Sequence, residues 1–140
     1  MTKETKNSIL IIGGGLIGLS IAYKFARNNF KVLVLSKNRS ESAGFVAAGM
    51  LASHAEGLED ELLKFGQESQ SLIPKWIKSI EKDSSIKCGL KKCGIVVPFK
   101  NKDELKKFPT YKYGKYLNQK DLQTEINGIN SIWKHGLLFE

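Results

Sequence analysis

The stretch "ILIIGGGLIGLSIAY" holds the residues whose spacing can do chemistry: Gly13, Gly15 and Gly18 fit the pattern G-x-G-x-x-G. Each glycine has its own physical task. Gly13 permits a tight turn from strand to helix. Gly15 lets the main chain approach a pyrophosphate with no Cβ in the way, and Gly18 lets the helix pack closely on the strand. The free N–H groups of Leu16 and Ile17, at the positive end of the helix dipole, then face the phosphates. Alone the pattern is a weak signal. A strand before it, and a helix and second strand after it, are the context that gives it meaning.

A dinucleotide site needs a further contact at the end of the next strand. In "KVLVLSKNRS" that position is Ser36, where such strands usually carry Asp or Glu to accept a hydrogen bond from a ribose hydroxyl. A serine oxygen also accepts, but without charge assistance the bond is weaker by about 1 kcal/mol. Lys37 and Arg39 follow and could hold a phosphorylated ribose, so an NADP-type nucleotide is open at this point.

The other reactive side chains offer less. Cys88 and Cys93 are the only cysteines, and no Cys or His cluster lies near them. That fits neither a zinc site nor a disulfide framework, and a reduced pair in or beside strands is expected. His54 and His135 have no Ser, Cys or metal-ligand partner at useful spacing. No catalytic residue and no metal site are assigned. Tyr111, Tyr113 and Tyr116, interleaved with lysines, could stack on nucleic-acid bases. A loop with snorkelling lysines is the plainer reading.

The elements that must position these residues follow from the apolar periodicity. "SILII" suits a strand buried on both faces, as in a parallel sheet. "LIGLSIAYKFARNN" continues at helical spacing, with Ile17, Ile21, Ala22 and Phe25 on one side and Asn28 and Asn29 to stop it. "KVLVL" is the second strand, which completes a βαβ-like start. The small residues from Ala43 to Gly49 predict neither an amphipathic helix nor an alternating strand, and suit backbone packed against a flat ligand. "LEDELLKFGQESQSLIPKWIKSIEKDSS" is helical in spacing, with Pro74 marking a kink or the first turn of a second segment. "IKCGLKKCGIVVPF" reads as a hairpin turned at Lys91 and Lys92. "KDELKKF" and "NQKDLQTEI" are short helices, the second N-capped by Asn118, and "SIWKHGLLFE" begins another strand.

With 140 residues, 41% of them hydrophobic and 26% charged, the chain fits one domain of an ordinary globular protein. There are 22 basic and 14 acidic residues, for a net charge of +8. The lysines are scattered along helices and turns instead of forming one stripe, so no nucleic-acid partner is expected. "ILIIGGGLIGLSIAY" is broken by glycines and shorter than a membrane span. "MTKETKNS" is mixed in charge, and no cleavage site follows a proper apolar region, as a secretory signal would require. A cytoplasmic location with no membrane partner is expected.

"SAGFVAAGMLASHAEG", residues 42 to 57, together with the glycine fingerprint, resembles the glycine oxidases of thiamine biosynthesis, within the wider D-amino-acid and sarcosine oxidase group of flavoproteins. "AAGML" with its "HAE" continuation is much more specific than the fingerprint. The resemblance implies FAD as the cofactor. By position, Gly13, Gly15, Leu16, Ile17 and Gly18 would contact its pyrophosphate, and Ser36 and Lys37 its adenosine ribose. Ala43 and Gly44 would lie near the phosphates. Ala48, Gly49 and Met50 would lie near the flavin, with Met50 also near the substrate. Two departures remove polar contacts. One is Ser36 in place of a carboxylate, and the other is Ala43, Gly44 and Phe45 where hydroxyl residues are often found.

The resemblance further implies oxidative deamination of a small amine or amino acid, with glycine favoured. A hydride passes from the α-carbon to the flavin, the imine hydrolyses, and oxygen re-oxidises the flavin to give hydrogen peroxide. The imine would feed thiazole synthesis. Substrate and oxygen are the implied partners, and a homo-oligomer stays open for a full-length enzyme.

The implied fold is α/β: a Rossmann-like FAD-binding βαβ unit, then helices, then the start of an antiparallel substrate-domain sheet. Residues 1–84 would belong to the FAD-binding domain and 85–140 to the beginning of an incomplete substrate-binding domain. Members of the family are much longer, so a truncated chain, inactive by itself, is expected. The alternatives are another FAD- or NADP-dependent oxidoreductase, an inactive fragment that binds no nucleotide, or a basic nucleic-acid binder.

Overall fold

The structure, a computed structural model, describes residues 6–140; the side chains of residues 6, 7 and 39 lie outside that description. The signal-peptide reading of "MTKETKNS" therefore falls largely outside the described residues, and so does the Arg39 side chain offered for a 2′-phosphate. The chain forms two compact units, one ending at Met50 and the other Leu51–Glu140.

In the first unit, β1 (Lys6–Ile12), α1 (Leu16–Arg27) and β2 (Phe30–Leu35) form the expected βαβ start. β1 and β2 are parallel, with Leu10 opposite Leu33 and Ile12 opposite Leu35. α1 ends where two asparagines replace apolar residues. Asn28 Nδ2 donates to the Lys24 carbonyl at 2.7 Å, and Asn29 takes the left-handed conformation at φ 62° that reverses the chain into β2. Phe25 and Phe30 then meet edge to face at 5.2 Å across that reversal.

Two expectations change here. The strands are half-buried on one face only, since Leu10, Ile12, Leu33 and Leu35 are exposed, Ile12 at 84%. A parallel sheet needs cover on both faces; in this unit α1 covers one. Of the four residues expected on the inner side of α1, Ala22 is half-buried and Phe25 packs on Phe30, but the two isoleucines do not face the sheet. Gly18 lies against Ile11, whereas Ile17 and Ile21 are exposed. Close approach to the sheet selects the residue without a side chain, not the bulkiest one.

After β2 come a 3₁₀ turn, Arg39–Glu41, and one turn of helix, α2 (Ala43–Val46). The small-residue run is thus briefly helical at its start and irregular from residue 47 to 50.

The second unit opens with an irregular run and α3 (Asp60–Ser84), one continuous helix of 25 residues. Pro74 sits inside it and does not divide it into two segments. Ser85, left-handed at φ 59°, caps its end.

β3 (Ile95–Phe99), α4 (Lys102–Lys107), β4 (Lys115–Asn118), α5 (Gln119–Glu125) and β5 (His135–Phe139) complete the unit. The three strands form an antiparallel sheet in the order β3-β5-β4. The hairpin expected over 86–99 does not form. Residues 85–94 carry no strand, and β3 pairs with β5, Val97 opposite Leu137.

β4 falls where a lysine-rich loop was expected. Only Leu117 of its four residues is buried, so its alternation is too short to show in sequence. Pro98 is tolerated because β3 is an edge strand, where a missing N–H breaks no ladder.

Phe99, Leu105, Leu137 and Phe139 make the core, and Leu122 of α5 packs over Gly136 of β5. Asn118 caps α5 as expected, accepting from the Lys120 and Asp121 N–H groups in a complete capping box.

Candidate functional site

At the C-terminal edge of the β1–β2 pair the chain makes the turn that the glycine spacing predicts. Gly13 has φ +113°, which only glycine adopts without strain. Its N–H donates to the Leu35 carbonyl at 2.8 Å, tying the turn to the end of β2. A Cβ on Gly18 would run into the Gly13 carbonyl oxygen, so the first turn of α1 sits directly on the loop that precedes it.

Gly14 is just as constrained, and the spacing did not single it out. A Cβ there would fall 2.8 Å from both Cβ and Oγ of Ser36. The residue at the end of β2 is thereby held beside the glycine turn. Its signal in the sequence was its place as the middle one of three consecutive glycines.

α1 starts at Leu16 with Gly15 as N-cap. No side chain caps it and its first turn carries no acidic residue. The N–H groups of that turn have no partner inside the helix. Leu16 and Ile17 are 73% and 77% exposed. The result is an open, positively polarised main-chain surface, suited to an anion.

The loop after β2 borders this surface. Asn38 Oδ1 accepts from the Ser40 N–H at 3.1 Å and from its hydroxyl at 2.8 Å, and Asn38 Nδ2 donates to Glu41 at 3.1 Å. That folding leaves Gly44 in ordinary contact distance of the Leu16 side chain, and Ser42 is the nearest neighbour of the Gly15 Cβ position, at 3.9 Å. So Gly13, Gly15, Leu16, Ile17, Gly18, Ser36, Ser42 and Gly44 come together. Lys37 is exposed in the same loop, Ala43 is exposed at the start of α2, and Ala48, Gly49 and Met50 are exposed in the irregular run beyond it. Ser42 puts a hydroxyl one position before the run where the sequence lacked one.

In the second unit, Thr110 donates to the His54 carbonyl, and the His54 ring lies tilted against Tyr113 at a centroid distance of 4.5 Å. Tyr116 and His135 share a hydrogen bond of 2.9 Å. The first two contacts tie the irregular run 51–59 to the Thr110–Tyr113 segment, and the last joins β4 to β5. His54 Nε2 also meets Gln67 at 3.1 Å, while its Nδ1 is buried without a hydrogen-bond partner among the described residues. Among the described residues no three His, Cys, Asp or Glu side chains gather as metal ligands. No helix among them is long and apolar enough to cross a membrane.

A strand, glycine turn, uncapped helix and second parallel strand define a dinucleotide-binding flavoprotein or dehydrogenase. The family comparison decides between the two. Residues 8–138 match the model of the FAD dependent oxidoreductase family, and the chain belongs to that family.

The bifunctional protein ThiO/ThiG of Trichormus variabilis is 40% identical over 99 residues, which is 70% of this chain and 15% of the relative. A glycine oxidase of Geobacillus kaustophilus is 29% identical over 90 residues, 63% of this chain and 24% of that protein. Among solved structures, the glycine oxidase of Bacillus cereus superposes with a TM-score of 0.81 at 21% identity, covering 96% of this chain and 38% of its own. The chain thus spans under a quarter of each of these two sequence relatives and 38% of the solved enzyme.

The residues present fit the family's cofactor. The positive φ and open Cβ position of Gly13, the missing side chain at Gly15 and the uncapped first turn of α1 form a cradle for an anion.

Proposed function

We propose that this chain supplies the FAD-cradling and first substrate-domain segment of an amino-acid oxidase acting on glycine or a similarly small amine. The carrying observation is the turn Gly13–Gly18, with Ser36 packed against Gly14 and the N-terminus of α1 left uncapped. The main chain from Gly13 to Gly18 would hold the diphosphate, with Ala43 and Gly44 beside it. Ser36 would accept from a ribose hydroxyl, and Lys37 would add positive charge at that end. Ala48, Gly49 and Met50 would line the flavin, Met50 on the substrate side. When bound there, FAD would supply a hydride acceptor for the substrate's α-carbon and a route for the electrons to oxygen. No side chain of this chain is assigned a proton-transfer role.

The functional boundary is placed after Ser84, with residues 1–84 in the FAD-binding domain and 85–140 opening the substrate domain. The antiparallel sheet β3-β5-β4 supports that division. A cytoplasmic enzyme with a small amine and oxygen as partners, and without nucleic acid, completes the reading. The scattered lysines support the last point.

The test is titration of the enzyme carrying this chain with FAD, followed by flavin fluorescence, and assay of peroxide release from glycine. Saturable quenching and glycine-dependent peroxide are expected. Tight NADPH binding with no response to FAD would overturn the proposal.

A further inference from the structure

We propose that Cys88 and Cys93 form a peroxide-sensitive dithiol that closes to an intrachain disulfide. Both thiols are free and exposed. Both lie in the run 85–94, which has no helix or strand, so no ladder has to break for the sulfurs to meet. Gly89, next to Cys88, has φ +72° and open space where a Cβ would stand. Closing a loop this short costs little chain entropy.

Both ends of the run are anchored. The Cys88 N–H donates to the Glu81 carboxylate of α3 at 2.9 Å, and Lys87 reaches the same carboxylate at 3.3 Å. Gly94, beside Cys93, lies so close to β5 that a Cβ would stand 3.2 Å from Leu138 and 3.3 Å from the Phe139 carbonyl. A bridge between the cysteines therefore ties the end of α3 to the edge of the sheet.

The oxidant is hydrogen peroxide. One thiolate attacks a peroxide oxygen, the O–O bond breaks, and hydroxide leaves and is protonated to water; the sulfur becomes a sulfenic acid. The second thiol attacks that sulfur. The S–S bond forms as the sulfenic hydroxyl departs with the thiol's proton as a second water. Two thiols lose two electrons and one peroxide becomes two waters. The proposed oxidase reaction would release the same oxidant, but added peroxide serves equally, so the inference stands apart from that reading.

In the test, the full chain is reduced, freed of reductant, treated with hydrogen peroxide, alkylated and cut with a glutamate-specific protease. That protease leaves residues 82–104, with both cysteines, on one peptide. The expected peptide is lighter by two hydrogens, carries no alkyl group, and regains both thiols with dithiothreitol. In Cys88→Ser and Cys93→Ser, the remaining cysteine is expected to yield a sulfenic acid that dimedone traps, with no light peptide. Full alkylation after peroxide, sulfinic or sulfonic products without a bridge, or disulfides that join separate chains would each overturn the proposal.

Discussion

Ser36 stands where a carboxylate would give a charge-assisted bond to ribose, and it abuts Gly14, which leaves it room. Ser36→Asp is expected to strengthen FAD binding by about 1 kcal/mol, roughly fivefold in Kd, read by flavin fluorescence titration. Gly18→Ala should act in the opposite direction. Its methyl group would collide with the Gly13 carbonyl, so the turn has to open, at a cost of about 1–3 kcal/mol. A lowered Tm together with weaker FAD binding is the expected signature. An unchanged Tm would mean that the helix does not sit on the turn. The fingerprint glycines were legible because each answers a local requirement of the backbone. The role of Gly14 was not, since its constraint comes from a residue 22 positions later in the sequence.

The helix α3 and the run that follows it are joined through one carboxylate. The Cys88 N–H first, and Lys87 second, hold the Glu81 carboxyl below its ordinary value of 4.5. A depressed native value means that the tie is fully present above about pH 4.5 and is lost as the pH falls through the native value. Hydrogen exchange at the Cys88 amide, corrected for its intrinsic rate, is expected to lose protection over that acid range. Glu81→Gln should show weak protection with no such pH step. Elements whose signals are local were readable: α1 with its asparagine stop, α5 with its Asn118 cap, and the apolar start of β1. The expected hairpin failed for the opposite reason. "GIVVPF" finds its ladder partner at His135–Phe139, about forty residues away, and no nearby turn residue announces that pairing.

At the scale of the molecule, each compact unit keeps its own account. The second is centred on β5, where Leu137 is fully buried among Phe99, Leu105 and Phe139. Leu137→Ala is expected to cost about 2–5 kcal/mol, seen as a lowered midpoint in urea unfolding followed by tryptophan fluorescence. The first unit has no fully buried side chain in α1 and leaves one apolar sheet face open. Fold class and family could be read from the order strand, glycine turn, helix, strand and from the "AAGML" run. What covers each face could not, because burial depends on neighbours that periodicity does not name. Because Gly14 and Ser36 share one small volume, their codons cannot drift independently. Position 36 can try new letters while position 14 stays bare, but a side chain at 14 meets the Cβ of any residue at 36 except glycine.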